Sequence, residues 1–332
     1  MLFGIVDKLK RQGVAIAYIT HKLEELTRIG DDAVVMRDGQ LVGAGPLVDL
    51  SRDEIVRMMI GRETKERADR QSNATEHEVL RVEGLSLLHP DRAGDFLVED
   101  VSLTAREGEV VGIFGLMGAG RTELLEALFG LHPDQSSGTI FVDGEAVTIA
   151  APVDAIRLGL ALAPEDRKRE GLVLGMTVAE NTSLGCLPRF ENRGIIEQAA
   201  EREMVNEAVA RFRVKTPSID QLVRNLSGGN QQKVILGKWL ATEPRVLLLD
   251  EPTRGIDVQA KEEIYSHISD LSAGGLAVIV VSSELPEILA ISDRLIVMCE
   301  GRKTAEFSRD EATEEGVMQA ALPSEEETRR SA

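Results

Sequence analysis

A segment near the N-terminus of the chain is repeated near its C-terminus. Residues 14–40 (VAIAYITHKLEELTRIGDDAVVMRDGQ) align without a gap with residues 276–302 (LAVIVVSSELPEILAISDRLIVMCEGR), 262 positions further along. Ten positions from Leu9 to Gly39 are identical in the two copies, among them the aligned pair Glu25 and Glu287. Each copy predicts a helix, a Gly turn, a buried strand, a helix and a hairpin strand that ends in a Gly turn. So long a gapless match indicates a duplicated domain.

The two copies differ in how far they extend toward the N-terminus. Met1 aligns with Glu263, so the first copy begins inside a helix, whereas the second copy continues back to about Glu78. We therefore interpret the first copy as the tail of a domain whose catalytic front is missing. The residues between the copies are charged and show no apolar periodicity, as expected of a solvated linker. The predicted parts are this remnant, the linker, the complete second copy and a frayed tail: residues 1–61, 62–77, 78–322 and 323–332.

Composition limits the classes of function. A chain of 332 residues suffices for about two domains. The net charge of −18 and the aromatic content of 3% disfavour a nucleic-acid partner, which needs a positive surface and stacking side chains. Cys186 and Cys299 match no metal-binding spacing and indicate a reducing compartment. Because no apolar run approaches the roughly 18 residues of a membrane span and no signal-peptide pattern begins the chain, we expect a cytoplasmic protein unless a partner holds it at a membrane.

The eight residues GLMGAGRT predict a phosphate-binding loop. They follow the apolar run 110–114 and precede a helical pattern over 123–129. Glycines let backbone N–H groups approach phosphate oxygens, the helix N-terminus adds a favourable dipole, and a threonine hydroxyl can bind Mg²⁺. A structural Gly turn is the alternative. The predicted phosphate contacts, called here the phosphate loop, are Gly115, Leu116, Met117, Gly118, Ala119, Gly120, Arg121 and Thr122.

Residues 245–252 (RVLLLDEP) predict a buried strand that ends in two acids. Four consecutive apolar residues suit a parallel strand covered on both faces, which places Asp250 and Glu251 at its C-terminal end. Asp250 can hold Mg²⁺ through water, and Glu251 can polarise an attacking water. A strand ending in two surface acids is the alternative, and the preceding phosphate loop disfavours it.

A second candidate anion site is the segment LSGGNQQK, residues 226–233, called here the signature. Ser227 is expected to be the N-cap of the following helix, and Gly228 and Gly229 expose backbone N–H groups beside the helix start. A flexible loop is the alternative. The strongly patterned helix over 231–240 follows at once, which favours the anion site.

Together these motifs resemble the ATP-binding cassette of ABC transporters, in which phosphate loop, signature and acidic strand have characteristic positions. The segments GLMGAGRTEL, PEDRKREGL, LSGGNQQK and LDEPTRGIDV are more narrowly similar to the second cassette of tandem-cassette ATPases that power importers of ribose, galactose and xylose. The resemblance implies an α/β fold: a P-loop NTPase core with a mainly parallel sheet, an antiparallel β piece and a helical subdomain. It also implies ATP and Mg²⁺ as cofactors and ATP hydrolysis coupled to sugar transport.

Three positions depart from the general cassette pattern, so we expect nucleotide binding with reduced hydrolysis. Arg121 stands where a lysine is usual, and its longer, planar group changes the phosphate geometry. Glu165 stands where a glutamine usually contacts Mg²⁺ and the attacking water, and it brings a negative charge toward the γ-phosphate. Ser283 stands at the switch-histidine position, which its repeat partner His21 retains, although a lone His after a strand is more often structural. By resemblance the catalytic positions are Glu251, Ser283 and His21, and the metal positions are Thr122, Asp250 and Glu165.

The resemblance also implies partners. Cassettes of this family work as head-to-tail pairs, so Ser227, Gly228 and Gly229 would face a nucleotide held by another phosphate loop. A dimer of second cassettes is one way to complete the two sites. No nucleic acid is expected, and a periplasmic or extracellular sugar-binding protein is an indirect partner.

Residues 166–225 predict a mostly helical insertion, because TVAE (177–180) is a capping box and residues 199–212 form an amphipathic pattern. By resemblance, the groove beside Glu165 and this insertion receives a transmembrane permease subunit, which places the protein at the cytoplasmic face of the membrane. A generic packing face is the alternative. Two other functions remain open: a non-catalytic nucleotide-binding or scaffold protein, and a soluble cassette protein that acts on ribosomes or DNA, which the acidic charge disfavours.

Overall fold

The computed structural model describes residues 2–19, 23–37, 40–50, 54–55, 58, 72–92, 94–256 and 258–323. The chain groups into two compact units. Residues 1–67 with 313–332 form the small unit, and residues 68–312 form the large unit. No helix in the described part of the chain is long and apolar enough to cross a membrane.

The small unit contains a two-stranded antiparallel hairpin. In the first strand Ala33 and Val35 are buried, whereas Val34 and Met36 are exposed, so apolar side chains lie on both faces. Its elements are helix α1 (Leu2–Arg11), helix α2 (Leu23–Ile29), strand β1 (Asp32–Arg37), strand β2 (Gln40–Pro46) and, late in the chain, helix α10 (Glu314–Ala320).

The large unit contains a six-stranded sheet, a four-stranded sheet and a helical segment with a short two-stranded hairpin. In chain order its strands are β3 (Glu78–Leu88), β4 (Phe96–Arg106), β5 (Val110–Gly115), β6 (Ser136–Val142), β7 (Glu145–Val147), β8 (Leu160–Ala163), β9 (Glu191–Asn192), β10 (Ile195–Ile196), β11 (Val246–Asp250), β12 (Ala277–Ser282), β13 (Arg294–Cys299) and β14 (Arg302–Ser308). Its α-helices are α3 (Arg121–Leu128), α4 (Pro152–Arg157), α5 (Val178–Ser183), α6 (Gln198–Arg211), α7 (Gly228–Leu240), α8 (Val258–Ala273) and α9 (Leu285–Ile291).

The central sheet has the strand order β14–β13–β5–β12–β11–β8. All neighbouring strands in it are parallel except β14, which is antiparallel to β13. Every residue of β5, β8, β11 and β12 is buried, as expected for parallel strands covered on both faces. Because the carboxyl ends of β5, β11 and β12 meet at one edge, this sheet positions the phosphate loop beside the two acids.

A second sheet is entirely antiparallel, with the strand order β4–β3–β6–β7. The predicted helical insertion is also present. It holds α5 and α6 together with a π-helical turn at 167–171, 3₁₀ turns at 187–190 and 223–225, and the short hairpin β9–β10. The capping box of α5 is formed as predicted, since Thr177 and Glu180 bond reciprocally. The predicted fold class, a P-loop α/β core with an antiparallel piece and helical subdomain, is confirmed.

The duplication is visible in the structure at the same offset as in the sequence. Helix α2 and strands β1 and β2 begin and end 262 positions before α9, β13 and β14. Both hairpins also carry a register shift at the same place, between Val35 and Met36 in one copy and between Val297 and Met298 in the other. Because the register shift occurs at equivalent positions, the two hairpins share backbone geometry as well as residue pattern.

One element of the repeat was predicted wrongly. Residues 14–19, which include most of the counterpart of β12, form no strand, and Val14 and Ile19 are 46% and 98% exposed. The physical reason is pairing: β12 bonds to β11 on one side and to β5 on the other. The described part of the small unit offers residues 14–19 no such neighbours, and a lone strand cannot satisfy its backbone hydrogen bonds.

This difference predicts unequal hydrogen exchange in the two copies. We expect weak amide protection over residues 1–61 and strong protection over 246–249 and 278–281. The latter lie inside a buried six-stranded sheet, whereas the sheet in the described part of residues 1–61 is a two-stranded hairpin. Native-state hydrogen exchange followed by mass spectrometry measures both regions in one sample. Equal, high protection in the two copies would show that residues 1–61 are stabilised by another surface.

Candidate nucleotide-binding site

The phosphate loop connects β5 to α3, as the sequence predicted. Gly118 and Gly120 have φ angles of 79° and 86°, which residues with a side chain rarely adopt. A Cβ atom on Gly120 would also lie 2.5 Å from the carbonyl oxygen of Leu97. Gly120 is the N-cap of α3 and has no side chain with which to bond the first N–H groups of the helix. These N–H groups are therefore suited to bind an anion.

Strand β11 places the two acids at the end of the central sheet. Asp250 is its last residue and is only 2% exposed. Glu251 follows with a φ of 45°, and its N–H donates to the carbonyl oxygen of Val281 at 3.0 Å. A positive φ at a glutamate is a strained backbone conformation, which persists only where the surroundings fix it. The position of Glu251 is therefore determined by the chain around it.

The surroundings of Asp250 fit a magnesium ligand. Its Oδ1 atom is buried and has no hydrogen-bond partner in the described part of the chain. Burial raises the pKa of Asp250 to about 6, although a hydrogen bond with the Thr122 side chain acts in the opposite direction. Thr122, Glu165 and Asp250 line one cavity of about 480 Å³. A divalent cation that prefers oxygen ligands would stabilise such a buried carboxylate. In proteins Mg²⁺ is commonly bound by one or two carboxylates together with the phosphates of a substrate.

Arg121 contacts the acidic strand in this structure. Its Nη1 atom lies 3.3 Å from Oε1 of Glu251, and the two side chains are only 11% and 9% exposed. An ion pair so shielded from water is less screened than a surface pair. The residue that replaces the usual lysine thus holds the candidate general base. The two residues are 130 positions apart, and no sequence pattern indicated their pairing.

Glu165 is also paired. Its carboxylate forms an ion pair with the guanidinium of Arg254, a residue of the turn that follows Glu251. The extra negative charge expected from a glutamate at this position is therefore partly neutralised by a neighbouring cation. Glu165 still lines the cavity that Asp250 and Thr122 share.

Ser283 directly follows β12 and is exposed. Since β12 pairs in parallel with β5 and β11, Ser283 stands at the same sheet edge as Gly115 and Glu251. The sheet therefore brings the predicted switch position to the acidic strand and the phosphate loop. The other predicted switch residue, His21, lies outside the described residues.

Glu287 is a buried residue of the site region that no sequence motif marked as functional. It accepts hydrogen bonds from Oγ of Ser282 at 2.5 Å and from Oγ1 of Thr253 at 2.6 Å. Burial raises its pKa, and these two hydrogen bonds lower it. The carboxylate thereby joins the end of β12 to the turn after Glu251. Its identity with Glu25 in the repeat was the available signal.

The signature begins helix α7, with one correction to the prediction. Ser227 occupies the N-cap position, but within the described part of the chain its hydroxyl makes no capping bond. It accepts a hydrogen bond from Nδ2 of Asn230 at 2.9 Å instead. A Cβ atom on Gly229 would lie 2.6 Å from that of Ala260, so close packing explains this glycine. A Cβ atom on Gly228 would lie 2.7 Å from Nη2 of Arg167, the end of a flexible side chain, and 3.2 Å from the carbonyl oxygen of Gly255.

The predicted site residues fall into two groups in space. Thr122, Glu165 and Asp250 share the larger cavity, whereas Ser227 and Gly229 line a separate cavity of about 120 Å³. The structure does not place the signature at the cavity of its own phosphate loop. That the signature serves a nucleotide held by another phosphate loop stays a prediction.

Comparison with known proteins identifies the family. Residues 98–254 match the protein family described as ABC transporter. The chain is 60% identical over 323 residues to a ribose import ATP-binding protein of Rhodopirellula baltica, covering 97% of this chain and 63% of that protein. It is 47% identical over 321 residues to a xylose import ATP-binding protein of Moorella thermoacetica, covering 97% and 64% of the two chains. The chain thus spans somewhat less than two thirds of the length of these relatives.

Solved structures show the same fold. A nucleotide-free ATP-binding cassette from an ABC transporter superposes with a TM-score of 0.59 at 23% identity, covering 77% of this chain and 99% of that one. A dimeric post-hydrolysis cassette bound to ADP and phosphate gives a TM-score of 0.60 at 21% identity, covering 69% and 98%. With the P-loop NTPase fold of an ABC cassette and close similarity to curated import proteins, the chain belongs to the ABC ATP-binding proteins and is homologous to those of ribose and xylose import.

Proposed function

We propose that the chain is the energy-coupling ATPase of a monosaccharide importer. The observation that carries the proposal is the buried oxygen of Asp250, which has no hydrogen-bond partner among the described residues and lies in the cavity that Thr122 of the phosphate loop also lines. In this role the loop from Gly115 to Thr122 binds the phosphates of ATP, and Thr122, Asp250 and Glu165 hold Mg²⁺. Mg²⁺ held by these residues would supply positive charge to the phosphates. Glu251 then orients and polarises the attacking water at the edge of the central sheet.

The proposed organisation follows the repeat. Residues 78–322 are a complete second cassette with its helical subdomain at about 166–225, residues 1–61 are the end of a first cassette, and residues 62–77 join them. In a head-to-tail pair Ser227, Gly228 and Gly229 contact the nucleotide of the other cassette. A dimer of second cassettes is one such arrangement. His21 and Ser283 then occupy equivalent switch positions in the two copies.

The cavity beside Glu165 supports a permease as partner. Its wall is largely apolar and includes Leu125, Phe129, Leu131 and Trp239, next to the carboxylates of Glu165 and Asp250. An apolar cavity wall with a few polar groups suits an inserted segment of another protein. A permease docked there places the chain at the cytoplasmic face of the membrane, with a sugar-binding protein as an indirect partner.

A nucleotide-binding protein without hydrolysis is the second candidate. The ion pair between Arg121 and Glu251 favours it, because a base engaged by a cation is less available to a water molecule. The two functions differ in a single measurable quantity, the turnover of ATP.

Turnover by the purified chain tests both candidates. We expect a rate below about 1 s⁻¹, slower than the range common among enzymes, because Arg121, Glu165 and Ser283 depart from the cassette pattern. The triple variant Arg121→Lys, Glu165→Gln, Ser283→His should raise the rate roughly tenfold or more, since it removes the guanidinium that bonds to Glu251 and restores an imidazole. Arg157→Lys, at an exposed position of α4, is the matched control. A fast wild-type chain would contradict our reading of the departures, and a triple variant that binds ATP without turnover would favour the non-hydrolytic function.

A further inference from the structure

The segment EDRKREG, residues 165–171, is a motif whose middle residues have no role in the proposed mechanism. Asp166 shapes it: its carboxylate accepts from the backbone N–H groups of Lys168 and Arg169 at 3.1 and 3.2 Å and so caps the π-helical turn 167–171. Lys168 and Arg169 are exposed, whereas Arg167 is half-buried. Arg167 is therefore partly shielded from solvent, whereas Lys168 and Arg169 face it.

Arg167 binds the chain that follows the candidate base. Its Nη1 donates to the carbonyl oxygen of Arg254 at 2.6 Å, and its Nη2 donates to that of Gly255 at 3.2 Å. Two parallel donors on consecutive carbonyl groups require the planar fork of an arginine, which a lysine cannot reproduce. These contacts link positions 87 and 88 residues apart and fix the backbone at 254–255.

The backbone at 254–255 is the far end of a tight turn that starts at Glu251. The N–H of Arg254 donates to the carbonyl oxygen of Glu251 at 3.0 Å, and Thr253 within the turn bonds to the buried Glu287. The turn thus has one tether at Thr253 and another at its end, from Arg167. Glu251 itself has the strained φ of 45°. Such a conformation needs fixed neighbours, and Arg167 supplies one of them.

The same guanidinium packs against the first residue of the signature helix. A Cβ atom on Gly228 would lie 2.7 Å from Nη2 of Arg167 and 3.2 Å from the carbonyl oxygen of Gly255. The other end of the segment is attached to the same helix, because the buried Lys238 of α7 donates from Nζ to the carbonyl oxygen of Gly171 at 2.7 Å. Segment 165–171 is therefore bonded to α7 at Gly171 and to the turn after Glu251 at Arg167, which also lies against the first residue of α7.

We propose that Arg167 is a positioning residue that holds the turn after Glu251 and the start of the signature helix in one arrangement. If the segment that contains Glu165 moves, Arg167 therefore moves both the turn after the candidate base Glu251 and the signature glycines. The ion pair between Glu165 and Arg254 joins the same two segments from the other side. The proposal rests on the proposed function for its catalytic consequence, whereas its structural consequence can be measured without hydrolysis.

The test compares Arg167→Ala, Arg167→Lys and the control Arg169→Ala, an exposed arginine of the same turn. In the full chain without nucleotide, Arg167→Ala should speed amide exchange at residues 254–256 roughly tenfold, with β11 and β12 unchanged. Arg167→Lys should give an intermediate effect, because one donor can still reach a carbonyl group. The affinity for Mg-ATP should stay within about threefold, since the carbonyl groups that Arg167 binds belong to residues 254 and 255, outside the phosphate loop. Arg169→Ala should change none of these quantities.

Catalysis is measured in the triple-variant background, where turnover is expected. There Arg167→Ala should lower kcat roughly tenfold with KM almost unchanged, because Glu251 loses its position and the phosphate loop does not. Unchanged exchange at 254–256 would overturn the proposal, and so would an equal increase over β11 and β12, which indicates a general loss of stability. If the background variant hydrolyses no ATP, the proposed function fails, and the exchange result still decides the role of Arg167.

Discussion

The Asp250→Asn variant is expected to lose Mg²⁺-dependent ATP binding, with an affinity roughly 100-fold or more below that of the unchanged chain. Removing a residue that only supports a metal ligand costs about 10–100-fold in metal affinity, and Asp250 is proposed to be the ligand itself. An amide keeps the size of the side chain but lacks the charge that a divalent cation needs. Titration calorimetry with ATP, in the presence of Mg²⁺ and of a chelator, measures the loss.

The same substitution should stabilise the protein when nucleotide and metal are withheld. Burial raises the pKa of Asp250 from 3.8 to about 6, so the folded state disfavours the charged form. The contribution of this carboxyl group to stability is fully present below about pH 4, where it is protonated in both states, and is lost as pH rises through 6. At pH 7 the loss amounts to about 3 kcal/mol, since one pKa unit corresponds to about 1.4 kcal/mol.

Thermal unfolding between pH 4 and pH 7 in chelator measures this effect. The advantage of Asp250→Asn over the unchanged chain should grow as pH rises, and the exposed control Asp134→Asn should show no such trend. Intact Mg-ATP binding by Asp250→Asn would remove Asp250 from the metal site. An advantage that is the same at pH 4 and pH 7 would show that the buried carboxylate carries no electrostatic cost.

The Glu251→Gln variant should still bind ATP but should no longer hydrolyse it. General-base catalysis is worth about 10²–10⁴-fold, so any turnover of the chain or of its triple variant should fall by roughly 100-fold or more. The ATP affinity should be equal or a few-fold higher, because the substitution removes a negative charge near the phosphates and releases Arg121 from its ion pair. Calorimetry gives the affinity, and product formation over a single turnover gives the rate.

Glu145→Gln, at an exposed position of β7 in the other sheet, is the matched control. It should change neither quantity. Equal rates in Glu251→Gln and the unchanged chain would exclude Glu251 as the base. A parallel loss of affinity and rate would instead assign it to nucleotide binding.

Local patterns in the sequence predicted the framework of the site. Four apolar residues before Asp250 predicted a covered parallel strand, and β11 has that environment. The glycines of the phosphate loop predicted a tight connection between a strand and a helix, and Gly120, where a Cβ atom would clash, lies in that connection. The repeat even carried helix and strand bounds from one copy to the other at a constant offset. These features depend on neighbouring residues, and a single sequence contains that information.

Long-range contacts could not be predicted in this way. The pairing of Arg121 with Glu251 and the bonds of Arg167 to the turn after Glu251 join residues 130 and 87 positions apart. No periodicity relates such positions, and only the folded sheet brings them together. The strand predicted over residues 14–19 was wrong for the same reason. An apolar run becomes a strand only when partner strands lie beside it.

Binding of ATP to the unchanged 332-residue chain, titrated with and without Mg²⁺, tests the central assignment most directly. We predict saturable binding to the large unit that needs Mg²⁺ and that Asp250→Asn abolishes, because the phosphate loop and Asp250 lie at one edge of the central sheet. The absence of Mg²⁺-dependent binding at millimolar nucleotide would contradict the assignment of this site to ATP.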